Sequence, residues 1–249
     1  MTTDYGNWTE RTELLLGKEG LARLASANIL VAGCGGVGAY AAEMLGRAGV
    51  GNLMIVDADR VAVSNLNRQL PAMTSTVGRL KAEVMAQRLK DINPALNIRT
   101  ICQFLDEDNI PRLLDSERFD FIVDAIDTIT PKIALIAGAL ERHINIVSSM
   151  GAGAKTDITK VRLANIWDTF NCGLSRVVRQ GLRKRGMGRK KLTVVFSTET
   201  PDMKAVKAVE GERNKKTTAG TISYMPAIFG CFLAGYVLRQ ITQTKTNEK

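Results

Sequence analysis

The chain has 249 residues, of which 45% are hydrophobic and 24% charged, and its formal net charge is +9. This is ordinary globular composition and excludes a disordered, fibrous or disulfide-stapled protein. The length allows one large domain or one domain with an additional lobe.

The few histidines and cysteines exclude several kinds of site. The single histidine, His143, leaves a Ser–His hydrolase or a His-rich metal site unsupported. The four cysteines form no Cys-x-x-Cys pair, so no structural zinc is expected. Residues 1–28 carry charges throughout and lack an apolar run, so we expect no signal peptide. Together with reduced thiols, this predicts a cytoplasmic protein.

Strand and helix patterns alternate through the first 150 residues. Helices are expected at 10–26, 38–48, 78–92, 106–114 and 130–142, and strands at 28–32, 52–57, 97–102, 119–126 and 144–148. Repeated strand–helix units predict an α/β fold with a doubly wound, mostly parallel, Rossmann-like sheet. Residues 1–150 are therefore interpreted as a nucleotide-binding core preceded by an N-terminal helix.

The pattern changes in residues 151–249, which are interpreted as a C-terminal lobe. Strands are expected at 161–166 and 192–196, a helix at 174–186, and a mobile polar loop at 199–218. The last helix, 222–241, lies in a stretch long enough to span a bilayer. Polar residues, a proline and glycines dilute this stretch, which favours a buried or dimer-interface helix over membrane contact.

A glycine-rich motif follows the first strand and opens a helix. Gly33, Gly35, Gly36 and Gly38 fit G-x-G-x-x-G in the context that this motif needs. The glycines let the backbone approach a phosphate, and the helix N-terminus favours its negative charge. Asp57 closes the next strand, where a carboxylate can accept hydrogen bonds from ribose hydroxyls. These residues leave NAD, FAD, ATP and a ligand-free turn open.

Further polar residues favour ATP. Asn65, Asn67, Arg68 and Gln69 form a cluster after Asp57, Lys81 lies near a helix start, and Asp127 follows a strand. Arginine and lysine can neutralise a triphosphate, and an aspartate can hold Mg²⁺. Taken singly, each residue also fits a solvated surface charge or a helix cap.

The combination of five motifs resembles the ubiquitin-activating-enzyme superfamily, whose bacterial members include ThiF and MoeB. The motifs are GCGGVG (33–38), IVDAD (55–59), SNLNRQ (64–69), GRLKAEV (78–84) and DAIDT (124–128). The resemblance covers about residues 8–150 and implies adenylation of a carboxylate by ATP with release of pyrophosphate. It also implies a homodimer with active sites completed across the interface.

The resemblance also implies roles for individual residues. The glycines around Gly36 would line the phosphates, and Asp57, with Asp59 in the same motif, would hold the ribose side. Asn65, Arg68 and Lys81 would contact the triphosphate, with Asn67 and Gln69 beside them. Asp127 would bind Mg²⁺, and Arg11 would be the arginine that enters the partner subunit's site. The implied catalytic residues are Arg11, Arg68, Lys81 and Asp127.

A dense basic segment spans residues 174–191 and contains no acid. Its eight cations are Arg176, Arg179, Arg183, Lys184, Arg185, Arg189, Lys190 and Lys191. Such a segment is typical of a protein that binds a nucleic-acid backbone. The resemblance given next implies that this nucleic acid is tRNA. A solvated basic face or contact with an anionic membrane is the alternative. Only Trp167 and Phe170 are aromatic nearby, which gives base stacking poor support.

Over its whole length the chain most resembles the tRNA threonylcarbamoyladenosine dehydratase branch. The residues are MGAGA (150–154), VFSTE (195–199) and TAGTISYMP (218–226). The resemblance implies that ATP activates the carboxylate of the threonylcarbamoyl group, and that the side chain then cyclises with release of AMP. An adenylyltransferase for a ubiquitin-like sulfur carrier is the alternative, with a sulfur-relay partner possible. A dehydrogenase or a non-catalytic nucleotide-binding module is the third.

Two departures from the family bear on sulfur and thioester chemistry. The two Cys-x-x-Cys pairs usual in ThiF and MoeB are absent. Some members of the branch carry a cysteine just before the VFSTE-like segment, where this chain has Thr193 and Val194. A thioester step at that place is therefore unsupported. Cys172 is the nearest alternative, with an ordinary thiol the favoured interpretation.

Overall fold

A computed structural model describes residues 8–208 and 217–243. Its centre is a seven-stranded sheet in the order β3-β2-β1-β4-β5-β7-β6, in which only β6 runs antiparallel to its neighbour. The strands are β1 (Asn28–Ala32), β2 (Asn52–Val56), β3 (Asn97–Ile101), β4 (Phe121–Asp124), β5 (Asn145–Ser149), β6 (Val161–Asn165) and β7 (Thr193–Ser197). The expected doubly wound α/β fold is confirmed.

Helices cover both faces of this sheet. They are α1 (Glu10–Ser26), α2 (Gly38–Arg47), α3 (Lys81–Ile92), α4 (Ile110–Leu114), α5 (Ile129–Glu141), α6 (Gly173–Lys184) and α7 (Tyr224–Thr242). One hydrophobic cluster joins the sheet to α1, α2, α3 and α7, and a second joins it to α4, α5 and α6. Because both faces are covered, consecutive residues of the central strands are apolar, as in residues 29–32 of β1, which read ILVA.

The strand order places a crevice at the carboxyl edge of the sheet. The chain proceeds from β1 outward to β2 and β3, and then returns to β4 on the other side of β1. At such a switch point the connections after β1 and β4 diverge to opposite faces, which opens a ligand crevice. The motifs at 33–38 and 124–128 meet there.

Two helices begin later than the sequence pattern predicts. The helix expected at 78–92 begins at Lys81, because Gly78 is left-handed with φ +87° and Leu80 forms a bridge with Arg60. The helix expected at 106–114 begins at Ile110. The carboxylate of Asp106 accepts hydrogen bonds from the backbone N–H groups of residues 108 and 109 and forms a turn there instead.

The loop expected at 199–218 contains short strands in its described part. β8 (Val206–Ala208) pairs antiparallel with β9 (Thr217–Ala219), and residues 209–216 between them lie outside the described range. The expected mobility of the loop stays a prediction.

The final helix packs against the inner helices. Residues Met225, Phe229, Leu233 and Val237 of α7 recur every four positions and are buried, mainly against α2 and α1. By length and composition, α7 is the one helix of the described residues that could also cross a membrane, with 39% of its apolar window buried.

Candidate active site

The glycine loop, residues 33–38, is held tightly against the end of β4. Gly33 has φ +92°, and a Cβ there would lie 2.8 Å from the carbonyl oxygen of Ala125. A Cβ at Gly38 would lie 1.8 Å from the carbonyl oxygen of Gly33. These two positions therefore require glycine, and α2 begins directly after the turn with its N-terminal N–H groups at the crevice.

Asp57 connects the glycine loop to the end of β2. Its Oδ2 accepts a 2.6 Å hydrogen bond from the N–H of Cys34, and Oδ1 accepts one of 2.8 Å from the N–H of Asp59. Burial raises the pKa of Asp57, while the nearby charge of Lys81 opposes that shift. A carboxylate with about four lone-pair directions still has acceptor capacity for a ribose hydroxyl.

Cys34 is a packing residue of the same loop. Its side chain is fully buried, and burial raises the pKa of the Cys34 thiol well above its ordinary value, with Asp57 adding to the effect. Since the thiolate is the reactive form, this environment opposes a nucleophilic role.

Lys81 is a buried cation paired with an exposed carboxylate. Its Nζ lies 2.8 Å from Oδ2 of Asp59, and the exposed fractions of the two side chains are 6% and 70%. The backbone N–H of Lys81 also donates to the carbonyl of Asp59. Lys81 is thus not a solvated surface lysine. Its ammonium is held where an incoming phosphate could replace Asp59.

The polar segment after β2 forms the rim of the crevice. Asn65 is buried, and its Oδ1 accepts from the N–H of Ala62. Arg68 Nη1 donates to the carbonyl of Ser64 and to Oδ1 of Asn67. Asn67 Nδ2 in turn donates to the carbonyl of Thr221, 2.9 Å away, just before α7. The rim is thereby tied to the C-terminal part of the chain.

The side-chain amide of Gln69 offers a buried hydrogen-bond acceptor to a polar ligand. Its Oε1 is buried and has no hydrogen-bond partner among the described residues. Its amide lies beside the glycine loop, with Nε2 3.8 Å from the position of a Cβ at Gly35. An unpaired buried acceptor next to a glycine turn is a feature that a bound ligand donor would satisfy.

A buried ion pair that the sequence analysis did not predict lies beneath the crevice. Asp124 and Lys132 are both fully buried, with Lys132 Nζ 2.8 Å from Oδ2 of Asp124. Ser148 Oγ donates to the same oxygen at 2.6 Å, and the N–H of Ile126 donates to Oδ1 at 3.1 Å. Lys132 Nζ also donates to the carbonyl of Ile126. The sequence does contain one indication of this pair, a single lysine in the mostly apolar helix α5.

This ion pair fixes the short loop that carries Asp127. Asp127 itself is exposed, on the segment between β4 and α5. No group of three or more His, Cys, Asp or Glu side chains within 8–208 and 217–243 could hold a metal ion. One carboxylate together with substrate phosphates is nevertheless a donor set that suits Mg²⁺.

Arg11 lies apart from these residues. It is exposed near the start of α1, and no hydrogen bond or ion pair in the described part of the chain joins it to the crevice. α1 bends at Gly17, where φ is +71° and ψ is +167°, and its first half presents Leu14 and Leu15 to solvent.

The basic segment divides into inward and outward groups. Arg179 Nη1 donates to the carbonyls of Ile166 and Thr169, and Arg185 is paired with Glu107. Arg183 lies over the ring of Trp167, 5.2 Å from its centroid. The cations that are exposed and not used in these internal hydrogen bonds or the Glu107 pair are Arg176, Arg183, Lys184, Arg189, Lys190 and Lys191.

Comparison with known proteins places similarity over nearly the whole chain. The ThiF family profile matches residues 10–249. A Bacillus subtilis protein named tRNA threonylcarbamoyladenosine dehydratase is 39% identical over 238 residues, covering 93% of each chain. The crystal structure of the Escherichia coli tRNA N6-threonylcarbamoyladenosine dehydratase in complex with ATP superposes with a TM-score of 0.87 at 31% identity, covering 96% of each chain. In contrast, the Candida glabrata adenylyltransferase and sulfurtransferase UBA4, 36% identical, matches 63% of this chain and 36% of its own length.

Proposed function

Because the chain belongs to the ThiF family, we propose that it is an ATP-dependent enzyme that adenylates and dehydrates threonylcarbamoyladenosine in tRNA. The observation that carries this proposal is the 39% identity to a dehydratase across 93% of both chains. The carrier-protein adenylyltransferase is less well supported, since its relative leaves over a third of the chain unmatched.

The glycine loop and its neighbours form the ATP site in this proposal. The N–H groups at the start of α2 donate hydrogen bonds to the phosphates, and Asp57 accepts hydrogen bonds from the ribose. Lys81 exchanges Asp59 for a phosphate oxygen, which moves a buried positive charge from one anion to another at little desolvation cost. Arg68 and Asn65 complete the polar rim, and Gln69 Oε1 accepts a hydrogen bond from the bound nucleotide.

The chemistry has two steps. An oxygen of the threonylcarbamoyl carboxylate attacks the α-phosphorus of ATP, a new O–P bond forms, and pyrophosphate leaves. The carbamoyl nitrogen attached to the adenine ring then attacks the activated carbonyl carbon and loses its proton to solvent. The bond from that carbon to AMP breaks, and a ring forms with net loss of water. The attacking carboxylate is already ionised at neutral pH, so the first step needs no histidine base.

Positioning and charge neutralisation carry most of this catalysis. Two anions, a carboxylate and a triphosphate, must be brought together, which costs free energy without cations. Lys81 and Arg68 supply positive charge from the chain itself. We propose that Asp127 holds Mg²⁺ against the phosphates, and that Mg²⁺ supplies further neutralisation of the leaving pyrophosphate.

We further propose a homodimer in which Arg11 completes the partner's site. The exposed leucines on the first half of α1 support an interface there, because large apolar side chains are costly to leave in water. Mixing an Arg11→Ala variant with a Lys81→Ala variant tests this arrangement. Mixed dimers regain one intact site if Arg11 acts across the interface. They remain inactive if it acts within its own subunit.

tRNA is the proposed macromolecular partner, bound by the outward cations of the basic segment. Both ATP and tRNA are substrates available in the cytoplasm, which is the proposed location. A sulfur-relay partner and membrane contact are not required by this reaction.

Nucleoside mass spectrometry tests the proposal directly. The purified protein is incubated with ATP, Mg²⁺ and tRNA that bears threonylcarbamoyladenosine, and the tRNA is digested under mild conditions. An ATP-dependent loss of one water from that nucleoside is the expected result. An unchanged nucleoside, with pyrophosphate released only when a ubiquitin-like carrier is added, would replace this function by the alternative.

A further inference from the structure

Phe170 is an exposed aromatic ring with a fixed position. It lies in the segment between β6 and α6, and 51% of the residue is exposed. Its ring packs against the ring of Phe196 in a T-shaped arrangement, with centroids 5.7 Å apart and planes at 77°. Phe196 is only 1% exposed and belongs to the core. One side of the Phe170 ring is therefore supported while the other remains available.

Both neighbours of Phe170 are anchored. Asn171 is left-handed with φ +51°, and its Nδ2 donates to the carbonyl of Thr198 at 3.0 Å and to Oγ1 of Thr200 at 3.1 Å. On the other side, the carbonyl of Thr169 accepts a 2.9 Å hydrogen bond from Arg179 Nη1. These contacts already hold the segment in place. A ligand that contacts the Phe170 ring therefore loses little binding free energy to ordering it.

Phe170 lies near the crevice edge of the sheet. Thr198, which anchors its neighbour, directly follows β7 at the same carboxyl edge where the glycine loop follows β1. β7 is three strands from β1, so at about 4.8 Å per strand the two ends are about 14 Å apart. A substrate whose reacting group enters the crevice can extend over Phe170.

The surroundings of the ring favour a polyanion. Cys172 caps α6 two residues later, and the exposed Arg176 lies one turn into that helix. The exposed Arg183 and Lys184 lie further along the same helix. All charged side chains in residues 174–191 are positive. Two acids lie nearby, the exposed Asp168 two residues before Phe170 and Glu107, which is paired with Arg185. Cations still outnumber them on this surface, which suits a nucleic-acid backbone that carries only negative charge.

We propose that Phe170 stacks on an unpaired nucleobase of the tRNA, beside the reacting adenosine. The exposed cations of α6 contact the adjacent phosphates. Sequence-specific and loop-directed RNA binding commonly combines stacking on aromatic rings with a basic surface. This inference rests on the proposed tRNA substrate and differs from the expectation from sequence, which gave base stacking poor support. Trp167 is not the platform, because Arg183 covers its ring and its Nε1 donates to the carbonyl of Lys190.

Three substitutions at Phe170 separate stacking from general apolar contact. Phe170→Ala removes the ring, Phe170→Leu keeps an apolar side chain without a ring, and Phe170→Tyr keeps the ring. Phe104→Ala is the exposed-aromatic control, since Phe104 is 49% exposed and follows β3, at the opposite edge of the sheet from β7. Glu107, three residues later, pairs with Arg185 near the end of α6, so this control also reports on that end of the basic segment. Thermal unfolding and ATP binding are measured for every variant, so that a folding defect is recognised.

The readout is the Kd for tRNA bearing threonylcarbamoyladenosine, measured over a series of salt concentrations. We expect Phe170→Ala to weaken binding about 5- to 150-fold. Phe170→Leu should behave similarly, whereas Phe170→Tyr and Phe104→Ala should resemble the wild type. The slope of log affinity against log salt should stay unchanged, because no charge is removed. The KM for tRNA should rise while the KM for ATP does not.

Several outcomes overturn the inference. Wild-type affinity in Phe170→Ala would remove the residue from the tRNA site, and wild-type affinity in Phe170→Leu would show apolar contact without stacking. In both cases wild-type protein that still dehydrates the tRNA leaves the proposed function intact. Wild-type protein that neither binds nor dehydrates the tRNA would overturn the proposed function and this inference together.

Discussion

Substitution of Lys132 by methionine tests whether the buried ion pair supports the adenylation site. Lys132 and Asp124 are fully buried and 2.8 Å apart. The variant keeps the side-chain length but leaves the Asp124 carboxylate without its cation. Breaking a buried pair from one side costs about 3–5 kcal/mol. Asp124 retains hydrogen bonds from Ser148 and Ile126, so we expect about 3 kcal/mol, at the lower end of that range.

Thermal and urea denaturation measure this loss. For a chain of this size, about 3 kcal/mol corresponds to a Tm lower by about 6–12 °C. Arg142→Met is the matched control, because Arg142 makes a two-bond contact with Asp115 at the surface. The loss there should be well below that of Lys132→Met, since water replaces the broken contact. The double variant Asp124→Asn/Lys132→Met should be less destabilised than the sum of the single variants.

The same substitution should also weaken ATP binding. Lys132 Nζ holds the carbonyl of Ile126, adjacent to Asp127, and the carbonyl of Ala125 lies against the turn at Gly33. A loosened loop should raise the KM for ATP more than the KM for tRNA. A Tm within about 2 °C of the wild type, or equal changes in both KM values, would refute the reasoning.

Three further changes probe separate parts of the molecule. Burial opposes ionisation of Glu43, but hydrogen bonds from Arg88 and Arg47 hold the pKa of Glu43 below its ordinary value. Glu43→Gln should therefore lower the free energy of unfolding by about 1.5–3 kcal/mol at pH 7, and this difference should vanish as pH falls from about 4.3 through the folded-state pKa. Asp127→Asn should abolish Mg²⁺-dependent pyrophosphate release, and a fully active variant would exclude the proposed magnesium role. Lys184→Gln should reduce the salt slope of tRNA binding by about 0.7–0.9 if it contacts one phosphate, and an unaltered slope would exclude that contact.

The sequence was most informative where structure depends on residues close together in the chain. The apolar run Asn28–Ala32 and the glycines that follow it predicted a strand, a turn and a helix in the correct order. Predictions of helix starts were less accurate. Residues 78–80 and 106–109 directly precede helices, but a left-handed glycine and an aspartate that accepts two backbone N–H groups give each segment another local structure.

Features that depend on contacts between distant segments were missed. Lys132 reads as part of an apolar helix, and nothing in its neighbourhood indicates that Asp124 lies beneath it. Phe170 reads as an isolated aromatic residue. Its rigidity comes from Phe196 and from the anchoring of Asn171 at the end of β7, which sequence spacing does not reveal. Arg179 reads as one more cation of the basic segment, although its guanidinium is directed inward.

Asp57 shows why these distant contacts matter for the proposed chemistry. Its carboxylate accepts a hydrogen bond from the N–H of Cys34 within the glycine loop. Burial raises the pKa of Asp57 and so makes its charged form costly, while two backbone N–H groups and Lys81 offset part of that cost. The buried charge of Asp57 therefore lowers the folding stability, but it keeps this hydrogen-bond acceptor and the glycine loop in one fixed arrangement. Binding of ATP then requires little reorganisation, which is the condition under which positioning contributes most to the rate.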